Sequence, residues 1–316
     1  MNRFVLFLAA AFALLTGSVP AQTPALIPLN IMASPLDLNG PVFYAQDLGI
    51  FKKYGLDVHI QMTFAGVEQA STAIIAGTAD IGSANTATLA QAHLRGIDFR
   101  YFAAGGIFTD KVRPTEVVAV LKSSPIHTAA DLNGKTLSPG QLRSMLQCAT
   151  TAWADKHGGD GKSLKFVEIP FPQMDTALEQ HRIDAAVFTE PFATAASADT
   201  RVIGSAEEGV APTFMVLGWY ATGSWLNAHA DTAARFIAAV REASAWGNTH
   251  HQESAAIISR YSKIPQDTVD QMARAVYGLT LDPKLIQPPI DVAARYGFID
   301  RAFPAADIIW TPPTQK

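Results

Sequence analysis

Residues 29–62 read LNIMASPLDLNGPVFYAQDLGIFKKYGLDVHIQM, and the punctuation of this stretch sets the fold class. Leu29, Ile31 and Ala33 alternate as one face of a strand. Pro41, suited to the first turn of a helix because its missing N–H would be unpaired there anyway, opens a predicted helix that runs to Lys53, and Gly55 stops it. Val58, Ile60 and Met62 then alternate as a second strand. Strand, helix, strand in this order is the unit of a largely parallel sheet with helices on its faces.

The same grammar continues downstream. Val67, Ala70, Ser71 and Ile74 recur at helical spacing until Gly77, Ala79 to Ser83 is a short buried strand, and Ala87, Ala90 and Leu94 form the next helical stripe before Gly96. Phe99 and Tyr101 begin a further strand. A second α/β set follows: predicted strands at Glu116 to Leu121, Lys135 to Ser138 and Leu164 to Ile169, and a helix from about Gln141 to His157. Met174, Ala177, Leu178 and His181 make another helical stripe, followed by strands at Ala185 to Phe188 and Arg201 to Ser205. Thr213 to Tyr220 is apolar enough to carry the chain back to the first set. The remainder reads as helical, with Phe236, Ile237, Val240 and Ala243 on one face and Val269, Met272, Ala273 and Val276 on another. The expected fold class is α/β in two lobes: residues 22–112 begin lobe 1, 113–210 form lobe 2, and 211–316 complete lobe 1. Crossing segments near 105–118 and 208–216 would act as a hinge. Loops at strand ends then converge on an interlobe cleft, the natural ligand site.

Upstream, Asn2 and Arg3 precede an apolar run from Phe4 to Leu15, too short to span a bilayer as a stable helix. Small residues at Val19 to Ala21 complete the pattern of a secretory signal, residues 1–21, with cleavage expected after Ala21. The expected location is the periplasm, with the mature chain soluble. The single cysteine, Cys148, lies far from the cut, so it offers neither a lipid-anchor site nor an internal disulfide.

Net charge is −4, and no block of like charge occurs, which argues against nucleic acid as a partner. Hydrophobic residues make up 48% of the chain and charged residues 16%, the balance of a globular interior rather than of a disordered tail.

Specific residues carry a resemblance. Pro41, Tyr44, Ala45, Gly49, Ile50, Phe51, Gly55, Leu56 and Val58 look like the opening signature of the nitrate, sulfonate, taurine and thiamine-precursor family of periplasmic binding proteins. Gly77, Asp80, Ile81 and Gly82 resemble its second motif, and Asp131, Leu132, Gly134 and Lys135 its third. Ile183 to Ala186 with Glu190, Pro191 and Phe192 resemble its fourth. The resemblance implies a type II periplasmic binding protein fold that closes on a small-molecule ligand and docks on the permease of an ABC importer, whose ATPase subunits drive transport. The residues themselves lead to the expectation of a monomer that is not an enzyme and has no cofactor or metal.

The candidate ligand residues sit at strand ends. Asn39 lies in the Ser34 to Asn39 loop. Asn85 and Thr86 open a helix, where they either cap it or bond ligand, and free amides there favour an anion. In the second lobe Gly140 permits close backbone approach, with Gln141, Arg143 and Ser144 beside it. Arg143 in a first helical turn opposes the helix dipole, so an acidic ligand group in the cleft would give it a reason to be there. Glu190 ends a strand and either accepts from a ligand amine or holds the hinge. Together these favour an organic sulfonate or carboxylate, amino-bearing ones included, over nitrate or bicarbonate, with a pyrimidine-like heterocycle as the second choice.

Catalytic signatures are weak. There is no phosphate-cradling lysine loop, nucleophile elbow or paired-cysteine metal motif. His250, His251 and Glu253 read as a solvated helix end, and Cys148 as a core thiol. Enzymes with this fold, such as desulfinases and pyrimidine synthases, remain the alternative of another class. A desulfinase-like chemistry would want its cysteine in the Ser34 to Asn39 loop. A sensor subunit that presents ligand to a membrane kinase is a third reading, inseparable from transport by sequence.

Overall fold

The computed structural model describes residues 25–63 and 66–312. The predicted leader and its cleavage point lie outside the described residues. Strands β1 (Ile27–Ala33), β2 (Leu56–Met62), β3 (Ile81–Asn85) and β4 (Phe99–Ala104) follow the expected order. After them come β5 (Gly106–Thr109), β6 (Glu116–Leu121), β7 (Thr136–Ser138), β8 (Lys165–Phe166), β9 (Ala185–Thr189) and β10 (Thr200–Gly204). The last three are β11 (Thr213–Met215), β12 (Leu217–Thr222) and β13 (Val276–Tyr277).

Two five-stranded sheets, β2-β1-β3-β12-β4 and β10-β6-β9-β7-β8, form the lobes, and a three-stranded sheet β11-β5-β13 lies at the crossing. β1 pairs in parallel with β2 and with β3, placing Ile31 opposite both Ile60 and Ile81. β12 returns from the second lobe and inserts antiparallel between β3 and β4, which joins sequence-distant parts of the first lobe. In the second sheet β7 is parallel to β8 and β9, while β6 is antiparallel to β9 and β10.

The alternation in the quoted stretch works as expected, since Leu29, Ile31 and Ala33 are buried on one face together with Trp219, Phe236 and Phe51. Burial of side chains of this size contributes about 1.5–3 kcal/mol each before conformational entropy is charged against it. A second core gathers Leu137, Cys148, Trp153 and Val187 of the second lobe with Ile286 and Ile290 from the C-terminal region.

Several elements depart from expectation. The helix from Pro41 breaks: it runs Gly40–Asp47, Gly49 adopts φ 70° in the left-handed region, and a short turn Ile50–Lys53 resumes. The helix expected from about Gln141 starts only at Met145, because Ser144 caps it through a 3.3 Å bond from the Gln147 amide. The stripe expected over Val269 to Val276 is not one helix: a short helix ends at Val269, and Val276 and Tyr277 form β13, a third strand of the crossing sheet. The chain is helical again over Pro283–Arg295, within the part read as helical, although Pro288 and Pro289 lie inside this helix.

Candidate functional site

The carboxyl ends of β1, β3, β7 and β8 and the start of β6 meet around a cavity of about 270 Å³ between the two large sheets. Its first-lobe wall is made by Ser34, Leu36, Leu38 and Asn39 after β1, by Ser83 to Asn85 at the end of β3, and by Val216 and Leu217. The second-lobe wall is Glu116, Pro139 to Gln141, Ser144, Leu146, Glu168, Pro170, Phe171 and Thr189. The volume suits a small monocyclic or short-chain solute, and the lining mixes apolar surface with a few polar groups, as ligand clefts do.

Asn39 is 1% exposed; its Nδ2 donates to the Ser34 carbonyl at 2.9 Å, but its Oδ1 accepts no hydrogen bond. An enclosed acceptor without a donor is costly, and a ligand N–H or O–H would supply one. Asn85 lines the cavity while its Oδ1 caps the helix Thr86–Leu94, accepting from the Thr88 amide at 3.1 Å and the Thr88 hydroxyl at 3.2 Å. Thr86 is fully buried behind the strand end and does not line the cavity. Its hydroxyl faces that of Tyr101 without a well-formed hydrogen bond, and the Tyr101 hydroxyl donates to the Ala84 carbonyl at 2.9 Å.

Gly140 sits at φ 81°, and a Cβ there would come within 3.0 Å of the Phe171 ring, so the turn needs glycine on both counts. Phe171 walls the cavity and stacks on Phe192 with centroids 6.0 Å apart. Gln141 and Ser144 also line the cavity, the Ser144 hydroxyl donating to the Gln141 carbonyl at 2.8 Å.

Arg143 is placed differently from expectation. It precedes the helix, with φ 57°, and its exposed side chain donates to the Phe298 carbonyl at 3.2 Å while its own carbonyl accepts from Gln91 at 2.9 Å. The guanidinium therefore ties the Gly140 loop to the C-terminal region and is not part of the cavity lining. Glu190 likewise lies outside the lining. It is 3% exposed, and its carboxylate accepts from the Thr194 amide at 3.0 Å, the Thr194 hydroxyl at 2.9 Å and the Ala273 amide at 3.1 Å. Burial pushes its pKa up, partly offset by those donors. This is the hinge-holding alternative: a second-lobe carboxylate bonded to the segment that leads into β13.

Sequence reasoning missed Glu116, Glu168 and Phe171. Glu116 opens β6 at 9% exposure, lines the cavity, and accepts from the Thr189 hydroxyl at 3.3 Å. Burial raises its pKa to about 7. Directly behind it Glu207 is fully buried; the amides of Glu116 and Thr115 lie near its carboxylate, but neither oxygen has a well-formed hydrogen bond. Burial first, and then the neighbouring Glu116 charge, raise Glu207 well above the ordinary carboxylate range. A single acid at the start of an apolar strand gives no sequence signal of this pairing.

Phe43 and Tyr44 are core rather than cleft residues, Phe43 stacking on Tyr261 at 4.3 Å. The His250 ring stacks on Trp246 at 4.9 Å. Cys148 is fully buried in the second-lobe core, and burial pushes its thiol up to about 12. It should accordingly resist thiol-alkylating reagents at neutral pH in the folded protein and react after unfolding; labelling of native protein at the rate of a free thiol would contradict that placement. Among the described residues, one acidic group, Asp175, Glu179 and Asp199, brings its oxygens within 4.8 Å of one another, away from the cavity.

The family model described as NMT1/THI5 like matches residues 39–254. The chain belongs to this family. Among solved structures, the ligand-binding component of an ABC-type import system from Staphylococcus aureus, with zinc bound, superposes with a TM-score of 0.77 at 14% identity, covering 90% of this chain and 97% of that one. The alkanesulfonate-binding protein SsuA from Xanthomonas axonopodis pv. citri, bound to MOPS, gives a TM-score of 0.74 at 16% identity over 91% of this chain and 99% of that one. The nitrate-binding protein NrtA from Synechocystis PCC 6803 gives 0.71 at 14% identity, over 89% and 84%. At these identities the likeness establishes the generic periplasmic binding protein fold for this NMT1/THI5-like chain. A search of curated protein sequences finds no match.

Proposed function

We propose that this protein is the periplasmic solute-binding component of an ABC importer, which captures a small organic ligand by closure of two lobes, 22–112 with 211–316 and 113–210, and presents it to the permease and ATPase subunits. The observation that carries this reading is the cavity between the two large sheets, walled by strand ends of both, where the buried Asn39 Oδ1 has no donor. The three-stranded crossing sheet and the Glu190 contact with Ala273 are the natural hinge. The likeness to import-system binding components supports the same reading. Binding without turnover is the corresponding expectation, against the enzyme alternative.

The case for a sulfonate or carboxylate rested on Arg143, and its guanidinium is engaged outside the cavity. Without it no cation among the described residues lines the cavity to grip an anionic head group.

Closure is the testable step. A ligand at a hundredfold excess over its Kd adds about 2.7 kcal/mol to stability, or roughly 5–8 °C in Tm for a chain of this size. Solution scattering should then show a smaller radius of gyration with ligand than without. Superimposable profiles would remove the closure model. Export is tested separately, by N-terminal sequencing of periplasmic material: the mature chain should begin at Gln22. The described residues include no helix long and apolar enough to cross a membrane. Recovery of chains starting at Met1 in the membrane fraction would defeat the export reading.

A further inference from the structure

We infer that the cleft selects a small organic monocation, whose positive group docks on Glu116 and displaces a proton held by the buried pair Glu116 and Glu207. The inference rests on the cleft-capture reading and adds to it the ligand's charge and a proton count.

Three acceptors converge on the cavity. Asn39 Oδ1 is buried and unpaired, Glu116 is held by the Thr189 hydroxyl at 3.3 Å, and Glu168 spends one oxygen on the Leu142 amide at 3.1 Å. Among the described residues no lysine, arginine or histidine lines the same space. A ligand that satisfies these groups brings N–H donors and positive charge, and an anion would meet carboxylates with no compensating cation. Leu36 and Phe171 add an apolar wall, so the positive group belongs on an apolar body.

Glu207 is fully enclosed and without a well-formed hydrogen bond, its carboxylate near the Glu116 amide and exposed to the Glu116 charge. Two enclosed carboxylates side by side do not both ionise, so the empty protein keeps a proton on the pair near neutral pH. The surroundings leave that proton in place. β9 offers only the Thr189 hydroxyl, and on β10 the Arg201 guanidinium is tied to the carbonyls of Ser124 at 2.8 Å and Ile126 at 2.5 Å. The turn that carries Glu207 adds another acid, Glu208, which faces His157 at 3.4 Å. The helix Phe171–Glu179 contributes Asp175 and Glu179, gathered with Asp199 away from the cavity. When a cation docks on Glu116, its charge replaces that of the proton, Glu116 ionises, and the proton leaves to solvent.

The test uses six size-matched probes: benzylammonium and benzamidinium, benzoate and benzenesulfonate, benzamide and benzyl alcohol. Thermal shift should favour the two cations. For the better one, Glu116→Gln should weaken binding at least about tenfold, the loss typical of a buried charge-assisted contact. Calorimetry on the wild type at about pH 6, in buffers of different ionisation heat, should read release approaching one proton per ligand, falling to none by about pH 9. This count needs no variant and stands if Glu116→Gln does not fold. A preference for the anions would overturn the inference and leave cleft capture intact. Cation binding that is untouched by Glu116→Gln, or that releases no proton at about pH 6, would also overturn it. No shift from any of the three classes would count against both the inference and the cleft-capture reading.

Discussion

Asp37→Ala is expected to destabilise the protein by about 3–5 kcal/mol, the usual cost of leaving one partner of a buried ion pair uncompensated. Asp37 is fully buried within the Ser34 to Asn39 cleft loop, and its Oδ1 accepts from Arg274 at 3.1 Å. The same carboxylate takes the Ala275 amide at 2.6 Å and the Tyr277 hydroxyl at 3.0 Å. Arg274 also donates to the Tyr44 hydroxyl and to Ser254, each at 2.9 Å, so the network ties the first helix to two C-terminal segments. Burial, and after it the Asp37 charge, hold the Tyr277 hydroxyl well above the ordinary tyrosine range, which keeps it a donor. Removing the carboxylate strands the guanidinium and unpairs an amide in one step. Urea unfolding measures the loss. The double change Asp37→Leu with Arg274→Met should recover much of it, because apolar replacement removes both charges together. A loss below about 1 kcal/mol for Asp37→Ala would mean that water reaches the site and that the network is not sealed. Because Asp37 anchors the loop that ends in Asn39, the same variant should also weaken ligand capture.

The second large effect concerns pH. Glu116, Glu190 and Glu207 all have raised pKa values in the folded chain, with burial the first cause in each. Between the unfolded carboxylate range and the folded values, the native state holds protons that the unfolded chain has released. The stabilisation is complete below the unfolded value and is lost as pH rises through the folded ones. Glu116 alone, moving from 4.5 to about 7, implies a loss of roughly 3 kcal/mol between about pH 5 and pH 8. Glu207→Gln removes the inner carboxyl and should raise stability at about pH 8 by about 1–3 kcal/mol while changing little near pH 5. Denaturant midpoints across that range read it. A wild-type stability that is flat from about pH 5 to pH 8 would contradict the enclosed pair.

Much of this architecture is legible in sequence because burial repeats with a period. Leu29, Ile31 and Ala33 announce β1, and glycines such as Gly77 mark the stops that the left-handed backbone needs. What failed to show is equally physical. The C-terminal part reads as helical, but Pro288 and Pro289 blur the bounds of the helix Pro283–Arg295, since local rules disfavour what tertiary packing of Ile286 and Ile290 permits. Val276 has helical neighbours in sequence but is drawn into β13 by its pairing with Ile107, a contact no local pattern encodes. At the site, Asn39, Asn85, Gly140, Gln141 and Ser144 were readable as strand-end polar or glycine positions and do line the cavity. Thr86 and Glu190 share that signature yet face inward to the core and the hinge. Arg143 misled because its helical turn was assumed; with the helix starting after Ser144, no dipole penalty required a ligand to offset it. Glu116 and Glu207 meet only through the fold, so their pairing had no linear trace.

The most direct test of the account is a crystal structure of the mature protein with the best-binding of the six probes. Ligand capture between the lobes predicts density for the probe inside the cavity, with a donor on Asn39 Oδ1 and the positive group on Glu116. Density for the probe only outside that cavity, in a protein whose lobes have not closed, would contradict it.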